Sequence, residues 1–348
     1  MSTDAATERV TLAEIADEAG VSLSTISKVL NGRSDVAAAT RARVERVMSE
    51  RGYRRRGAGR SESRAELIEL VFHELDPIWS MELIDGVESV AKQHGLSVVL
   101  TVSGSRHSPD PDWIDGVMRR RPVGVVLVFS DLAPEYRERL HARAIPFVIV
   151  DPAGDPSADA PSVGSANWSG GLAATRHLIE LGHRRIAAIT GPADMMCSLA
   201  RIDGYRSAMN SAGLPIDESW IRFGDFHVSG GRDRARELLD APERPTAIFA
   251  GSDMQALGVL EAARERGIRV PEELSVVGYD DIPLAAWLTP KLTTVHQPLR
   301  RMGEEATRLA VRLADEPPGP GAPTPRMDLA TSLVVRESTA PPPASVVP

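Results

Sequence analysis

The sequence contains few of the patterns that catalysis, disulfide bonding or metal binding require. Its 348 residues include one cysteine, Cys197, which excludes an internal disulfide and a metal site made of several cysteines. The eight histidines show no HExxH spacing, and the chain contains neither a Gly-x-Ser-x-Gly turn nor a Walker-type phosphate loop. We therefore expect a protein that is not an enzyme, that uses no metal and no cofactor, and that buries its one thiol.

Long apolar segments are also absent. No run of 18 apolar residues occurs, and the opening segment MSTDAATERV has neither the basic start nor the apolar stretch of a secretion signal. These absences favour a cytoplasmic protein without a membrane partner. The length corresponds to two or three domains and is sufficient for a large buried core.

Charge is distributed unevenly along the chain. Residues 1–60 carry 11 Lys or Arg against 8 Asp or Glu, whereas the remaining residues carry 29 against 40. A basic opening segment is attracted to phosphate and an acidic remainder is repelled by it. The two parts are therefore expected to have different partners, and only the first is expected to bind nucleic acid.

Residues 10–32 predict two short amphipathic helices joined at Gly20. Thr11 and Glu14 have the spacing of a capping box, Gly20 is free to adopt a positive φ, and Ser22 is placed to cap the second helix. A helical spacing turns one set of residues inward: Leu12, Ile15, Ala16, Ala19, Ile26, Val29 and Leu30. The outer face of the second helix is small, polar and cationic, which suits the base edges of a DNA major groove. A corner between two helices packed in a protein core is the alternative interpretation.

From residue 66 onward the pattern alternates strands and helices. Short continuous apolar runs predict strands buried on both faces at residues 67–72, 98–102, 123–129, 146–150, 186–189, 247–250, 274–277 and 329–335. Helices are predicted between them, at residues 81–94, 172–181, 232–239 and 256–266, several of them ending at glycine. This alternation predicts a doubly wound α/β body, and its Pro- and Gly-rich breaks indicate two lobes with a ligand between them at the carboxyl ends of the strands.

The first 50 residues resemble the headpiece of the LacI-type (LacI/GalR) bacterial repressors. The family pattern TLxDVAxxAGVSxxTVSRVLN is matched over residues 11–31, and its continuation VSxxTRxxVxxAxxxLGY over residues 36–53. The body resembles the family's periplasmic-binding-protein-like core in five ordered blocks: HLIELGHRRIAAITGP, RIDGYRSAM, PTAIFAGSDMQALGVL, VPEELSVVGYDDIPLA and LTTVHQP. The resemblance covers about residues 10–338.

The resemblance implies a small all-α helix-turn-helix headpiece joined to an α/β two-lobed core. We expect a disordered start at 1–9, the headpiece at 10–53, a basic linker at 54–65, the core at 66–338 and a disordered tail at 339–348. The family's three crossings between lobes imply a first lobe at 66–163 and 297–325, and a second lobe at 164–296 and 326–338. The resemblance also implies the DNA-binding candidates, of which Leu23, Ser24 and Lys28 correspond to base contacts: Thr11, Ser22, Leu23, Ser24, Thr25, Ser27, Lys28 and Asn31.

The linker departs from the family pattern. Family members begin it with YxPNxxARxL and wedge a leucine into the minor groove, whereas this chain has Glu62 near that position and two glycines that weaken a helix. Our hypothesis is that Arg54, Arg55, Arg56 and Arg60 form a flexible arm along the minor groove. A solvated run of charge is the alternative.

Eight residues are candidates for binding an effector in the cleft. By resemblance, Arg201 stands where the family has its effector-binding arginine, and its planar fork suits hydroxyls or a carboxylate. Asp280 ends a strand of the GYDD block and would accept hydrogen bonds from vicinal hydroxyls. The others are Trp79, Asp151, Trp168, Phe226, Ser252 and Trp287. An ion pair of Arg201 with Asp203, a turn cap by Asp280 and core packing of each aromatic are the alternatives.

The candidate aromatics favour a carbohydrate effector. A pyranose presents an apolar C–H face, so a flat ring beneath it with Arg and Asp around the rim is a common binding solution. One recognition helix reads too few base pairs for genomic selectivity, so a homodimer on a pseudo-palindromic operator is expected. The predicted function is repression of carbohydrate-utilisation genes, relieved by a sugar or short oligosaccharide. A corepressor-dependent regulator with a non-sugar ligand, and a sugar-binding protein without a DNA role, are the alternatives.

Overall fold

The computed structural model describes residues 12–30, 37–51, 64–76, 78–104, 108–129, 131–152, 154, 160–319 and 322–343. Contacts between Cα atoms divide the chain into two compact units that meet in sequence between residues 63 and 64. Within the described part of the chain, no helix is both long enough and apolar enough to cross a bilayer.

The described residues of the first unit form three helices, α1 (Leu12–Ala19), α2 (Leu23–Leu30) and α3 (Ala38–Glu50). Gly20 turns the chain between α1 and α2 with a φ of +60°, as the sequence predicted. The side chains that form the core of this unit come from all three helices: Ile15, Ala16, Ala19, Ile26, Val29, Val44 and Val47.

The second unit is built from strands that alternate with helices. Its strands are β1 (Leu67–Phe72), β2 (Ser97–Val102), β3 (Gly124–Val128), β4 (Phe147–Val150), β5 (Ser162–Ser165), β6 (Ile186–Thr190), β7 (Ile221–Phe223), β8 (Ala247–Ala250), β9 (Ser275–Asp280), β10 (Thr293–His296), β11 (Arg326–Leu329) and β12 (Ser332–Val334). Its α-helices are α4 (Trp79–Gln93), α5 (Pro111–Arg120), α6 (Pro134–Ala142), α7 (Asn167–Glu180), α8 (Met196–Ser211), α9 (Val228–Leu239), α10 (Asp253–Glu265) and α11 (Leu299–Asp315). Two 3-10 turns lie at Glu218–Trp220 and Pro283–Ala286.

Two six-stranded sheets form two lobes. The first sheet has the order β11-β5-β4-β3-β1-β2 and is parallel throughout. The second has the order β12-β10-β9-β8-β6-β7, with β12 antiparallel at its edge. Helices cover both faces of each sheet, which explains why strands such as β3 and β4 are apolar and buried at every position. The doubly wound two-lobed architecture is therefore confirmed.

The chain passes between the lobes three times, and one predicted boundary is wrong. The sequence places residues 326–338 in the second lobe and predicts a single strand at 329–335. In the structure, residues 326–329 form β11, which pairs with β5 in the first sheet, and the chain crosses only before β12. The apolar pattern at 329–335 spans this crossing, because Leu329 faces one lobe's core and Leu333 the other.

The predicted disordered tail is also wrong over residues 339–343. The segment has no helix or strand, yet its backbone satisfies buried polar groups of the second lobe. The carbonyl of Ala340 accepts a hydrogen bond from Ser275 Oγ at 3.0 Å and lies 2.8 Å from His183 Nε2. Just before it, Ser338 is fully buried and its hydroxyl donates to the carbonyl of Val276 at 2.6 Å. Composition rich in proline excludes a helix here but does not exclude order.

Candidate ligand-binding cleft

A cavity of about 460 Å³ lies between the lobes, where the carboxyl ends of strands from both sheets meet. Phe72 ends β1, Phe129 follows β3 and Asp280 ends β9, so three strands deliver their last side chains to the same space. The second lobe adds Arg201 from α8 and Phe226 from the loop before α9. The geometry follows the general rule that open α/β sheets bind ligands beyond the carboxyl ends of their strands.

Arg201 is 2% exposed at the back of the cavity, and its three guanidinium nitrogens all donate hydrogen bonds. Nε donates to Asn167 Oδ1 at 2.8 Å, Nη1 to the carbonyl of Gly251 at 2.5 Å, and Nη2 to Gln297 Oε1 at 3.3 Å. The guanidinium also lies 3.7 Å from the ring centroid of Tyr279. These contacts hold the guanidinium in one orientation. The alternative interpretation, an ion pair between Arg201 and Asp203, is wrong, because Asp203 pairs with Arg206 instead.

Asp280 lies beside Arg201, with its carboxylate 3.9 Å from the guanidinium. Burial raises the pKa of the Asp280 carboxyl well above its usual range, and the positive charge of Arg201 opposes part of that rise. Its backbone has a φ of +108°, a conformation that non-glycine residues rarely adopt. A buried carboxyl and a fixed guanidinium at one wall offer both acceptors and donors to ligand hydroxyl groups.

Aromatic side chains form the apolar wall of the cavity. Trp79 stacks on Phe129 with ring centroids 4.8 Å apart, and Phe129 lies nearly parallel to Phe226 at 6.5 Å. Trp79 and Phe129 belong to the first lobe and Phe226 to the second, so the column of rings crosses the cleft. Phe129 was not among the predicted cleft residues, because it ends an apolar run that indicates a buried strand. Its position directly after β3, at the carboxyl edge of the sheet, was the available signal.

Ser252 lines the cavity, but its hydroxyl is already engaged. It caps α10 by accepting the amide N–H of Gln255 at 3.0 Å, and it donates to the carbonyl of Phe226 at 2.9 Å. Ser252 therefore holds the segment that carries the Phe226 ring.

Three candidate residues lie outside this cavity. Trp287 is 82% exposed after the 3-10 turn at Pro283–Ala286, so its predicted place at the cleft is wrong. Asp151 and Trp168 line a second cavity of about 460 Å³ instead, beside β5 and β11. Asp151 was assigned to the cleft because it directly follows the strand β4, and Trp168 because the family resemblance places its segment there.

Asp151 is nevertheless linked to the cleft through Gln297. The Gln297 amide nitrogen donates to Asp151 Oδ2 at 2.9 Å and to Ser165 Oγ at 3.0 Å, while its oxygen accepts from Arg201. Burial raises the pKa of the Asp151 carboxyl, and Arg201 opposes this rise. Gln297 stands in the second crossing and joins residues of both lobes, a role that local sequence pattern did not indicate.

The mouth of the cleft carries a polar contact between the lobes. Glu74, after β1, lies 3.1 Å from Nε2 of His227, which precedes α9. Both side chains are about half exposed. The lobes are thus joined at the mouth by Glu74 and His227 and at the back by Gln297.

The first unit presents α2 with a polar outer face. Leu23 is 56% exposed, and Ser24 and Lys28 are also exposed, whereas Ile26 and Val29 are buried. Ser22 caps α2 by accepting the amide N–H of Thr25 at 3.2 Å, as predicted. Several DNA-binding candidates lie outside the described residues: Thr11, Asn31, Arg54, Arg55, Arg56, Arg60 and the side chain of Ser27.

A helix-turn-helix unit followed by a two-lobed body with a ligand-sized cleft defines a ligand-responsive transcriptional regulator. The model of the bacterial regulatory proteins of the lacI family matches residues 11–56, and the periplasmic binding protein-like domain matches residues 175–339. The chain is 37% identical over 310 residues to the transcriptional repressor PurR of Vibrio atlanticus (strain LGP32), covering 88% of this chain and 92% of that one. It is 37% identical over 342 residues to the regulator CelR of Thermobifida fusca, covering 95% and 98%.

A solved structure supports the same assignment. The CelR–cellobiose complex superimposes with a TM-score of 0.70 at 35% identity, covering 95% of this chain and all of that one. The chain therefore belongs to the LacI family of bacterial transcriptional regulators.

Proposed function

We propose that this regulator is a repressor of carbohydrate-utilisation genes that leaves its operator when a sugar or short oligosaccharide occupies the cleft between the lobes. The observation that carries the proposal is that one cavity is lined by the aromatic residues Trp79, Phe129 and Phe226 and by the polar pair Arg201 and Asp280. Apolar rings suit the C–H face of a pyranose, and the polar pair suits its hydroxyl groups.

The size of the cavity is consistent with a disaccharide. Small-molecule sites commonly occupy about 300–1,000 Å³, and the volume of about 460 Å³ lies in that range. The similarity to CelR, whose structure is a complex with cellobiose, makes cellobiose the first sugar to test. The similarity to PurR at the same level of identity shows why the ligand must be measured rather than transferred.

The proposed DNA contact is made by α2 in the major groove. Leu23, Ser24 and Lys28 are exposed there and would reach base edges, with Ser22 and Thr25 near phosphates. A single α2 reads a few base pairs, so we propose a homodimer on a pseudo-palindromic operator in the cytoplasm, with an arginine-rich arm at residues 54–60 along the minor groove.

Coupling between cleft and operator would use the contacts that join the lobes. A ligand that contacts both lobes favours one angle between them, and in a dimer that angle sets the spacing of the DNA-binding units. A coupling free energy of about 1–3 kcal/mol is enough to change operator affinity by one or two orders of magnitude.

The test combines ligand screening with DNA binding. The purified chain is screened by thermal shift against monosaccharides and disaccharides, including cellobiose, because a ligand that binds the folded state raises the melting temperature. Fluorescence anisotropy with palindromic fragments then measures operator affinity with and without each sugar that binds. Release by a sugar supports the proposal. Tighter DNA binding with ligand would indicate a corepressor mechanism instead, and sugar binding without any salt-sensitive DNA retention would indicate a sugar-binding protein with no DNA role.

A further inference from the structure

Asp280 and Asp281 form a strained turn at the edge of the cleft. Their φ angles are +108° and +57°, both in a region that residues with side chains seldom occupy. Two such residues in succession persist only when surrounding contacts impose the conformation. The turn also decides where the Asp280 carboxyl points, because Asp280 is the last residue of β9 and lines the cavity.

The contact that closes this turn comes from the first residue of α10. Asp253 is 1% exposed and accepts the amide N–H of Ile282 at 2.9 Å through Oδ2. Its Oδ1 accepts the hydroxyl of Thr294 at 2.5 Å. Gly278 leaves room for this carboxyl, because a Cβ at that position would collide with Asp253 Oδ1.

The other restraints on the turn act on its two aspartates. Arg336 donates to Asp281 Oδ1 at 2.6 Å, and His296 Nδ1 lies 3.2 Å from Asp281 Oδ2. The carbonyl of Asp280 accepts the amide N–H of Gln297 at 3.2 Å. Among the described residues, Asp253 supplies the side-chain contact to the amide that follows both strained residues.

Through Ile282, the contact made by Asp253 also involves the first lobe. The Ile282 side chain is buried in the apolar cluster of the first lobe, although its backbone belongs to the second. The first turn of α10 thus faces two cleft segments at once, since Ser252 holds the carbonyl of Phe226 and Asp253 holds the amide after Asp281.

We propose that Asp253 is a positioning residue for the ligand site: by holding the Ile282 amide, it keeps the strained Asp280–Asp281 turn in the form that directs the Asp280 carboxyl into the cleft. This inference rests on the proposed function in that Asp280 binds the ligand. Asp253 itself does not line the cavity and touches no ligand.

The chemistry of Asp253 predicts which substitution preserves the role. Burial raises its pKa to about 7, because the charged form of a carboxyl is disfavoured away from water. We therefore expect a neutral side chain of the same shape to be tolerated at this position. An asparagine can accept the Ile282 amide through Oδ1 and donate to the Thr294 hydroxyl through Nδ2. Alanine makes neither bond and leaves both donors unsatisfied.

The experiment compares full-length wild type, Asp253→Ala, Asp253→Asn and Val259→Ala. Val259 is a fully buried residue of α10 that makes no polar contact with the turn, so it controls for general destabilisation of the helix. Two quantities are measured: hydrogen–deuterium exchange of the segment at residues 280–287 without ligand, and the cellobiose Kd by calorimetry. If Asp253→Ala does not fold, the variant Thr294→Val is used in its place. It removes the hydrogen bond from the Thr294 hydroxyl to Asp253 Oδ1 at nearly constant side-chain volume.

We expect Asp253→Ala to speed exchange in this segment and to raise the Kd by at least about tenfold, because a displaced Asp280 loses its hydrogen bond to the ligand. Thr294→Val should act in the same direction more weakly. Asp253→Asn should restore both quantities to within about threefold of wild type, which is about half of a tenfold change in free energy. Val259→Ala should leave exchange of this segment unchanged. Wild-type exchange in Asp253→Ala, or an equal effect of Val259→Ala, would overturn the proposal. If wild type fails to bind cellobiose, the choice of sugar is wrong, and the exchange data still decide the role of Asp253.

Discussion

Arg201 is the residue at which the stability of the second lobe and ligand binding are most closely tied. Replacing it with methionine keeps an unbranched side chain but removes the guanidinium that donates to Asn167, Gly251 and Gln297. The substitution also leaves the Asp280 carboxylate, 3.9 Å away, without its counter-charge. Breaking a buried ion pair from one side costs about 3–5 kcal/mol. For a body of this size, that loss lowers the melting temperature by about 10 °C.

The cost of Arg201→Met should depend on pH. Arg201 lowers the pKa values of Asp280 and Asp151, which burial raises, so its removal raises both further. A carboxyl whose pKa is higher in the folded state than in the unfolded state destabilises the fold at high pH. This loss of stability decreases as the pH falls below the folded-state pKa and vanishes below the unfolded-state pKa. The deficit relative to wild type should therefore be smaller at about pH 5.5 than at about pH 7.5.

Thermal unfolding followed by circular dichroism at the two pH values measures both effects. Arg206→Met is the matched control, because Arg206 lies on the same helix and pairs with Glu218 at 2.7 Å at the surface. Exposed pairs contribute about 0–1 kcal/mol, so this variant should melt close to wild type. The reasoning would be refuted by a melting temperature of Arg201→Met within about 2 °C of wild type, or by a deficit that is the same at both pH values.

Four further predictions concern single residues. Trp79→Ala should weaken sugar binding by about tenfold or more through lost apolar contact, whereas Trp287→Ala should leave the calorimetric Kd unchanged; equal losses would contradict the placement of Trp79 at the cleft. Lys28→Ala should weaken operator binding by about 1–3 kcal/mol and relax the base preference at one position of the operator. Fluorescence anisotropy with a panel of single-base operator variants measures this effect. An equal loss of affinity for every variant in the panel would indicate a phosphate contact instead. Burial raises the pKa of the Cys197 thiol to about 12, so it should react with a thiol reagent only after unfolding; rapid labelling of the folded chain would show otherwise. Because burial raises the pKa of Asp253 to about 7, wild-type stability should fall as the pH rises from about 4 to about 7, and Asp253→Asn should reduce this fall; identical pH profiles of the two chains would exclude this.

Local pattern was sufficient for the helix-turn-helix unit. Helical spacing, a serine cap and one glycine determine α1 and α2 over a few residues each, and the buried faces of Ile26 and Val29 follow from the same spacing. Apolar runs located six of the twelve described strands to within one residue at each end, with β1 and β8 matching at both. These features depend on contacts between neighbours in sequence, which periodicity describes well.

Pattern could not decide which strand ends share a cavity. Trp79 and Phe226 meet at the cleft with Phe129, whereas Trp287 is exposed to solvent, and Asp151 and Trp168 line a different cavity. Local pattern does not separate these residues, because all of them lie in loops or near the ends of helices and strands. Local pattern also did not predict that β11 belongs to the first sheet, because this depends on its pairing with β5. It did not predict that residues 339–343 are ordered, because this depends on polar groups such as His183, more than a hundred residues away.

The sequence by itself determined the family, the two-part organisation and the residue types available for ligand and DNA, because these are properties of motifs and periodicity. The tertiary structure alone decided how Arg201, Gln297 and Asp151 join the lobes, and how Asp253 holds the turn that presents Asp280. The physical reason is that a buried polar group must find its partner wherever the fold brings one, and here the partners in space lie 29 to 146 residues apart along the chain.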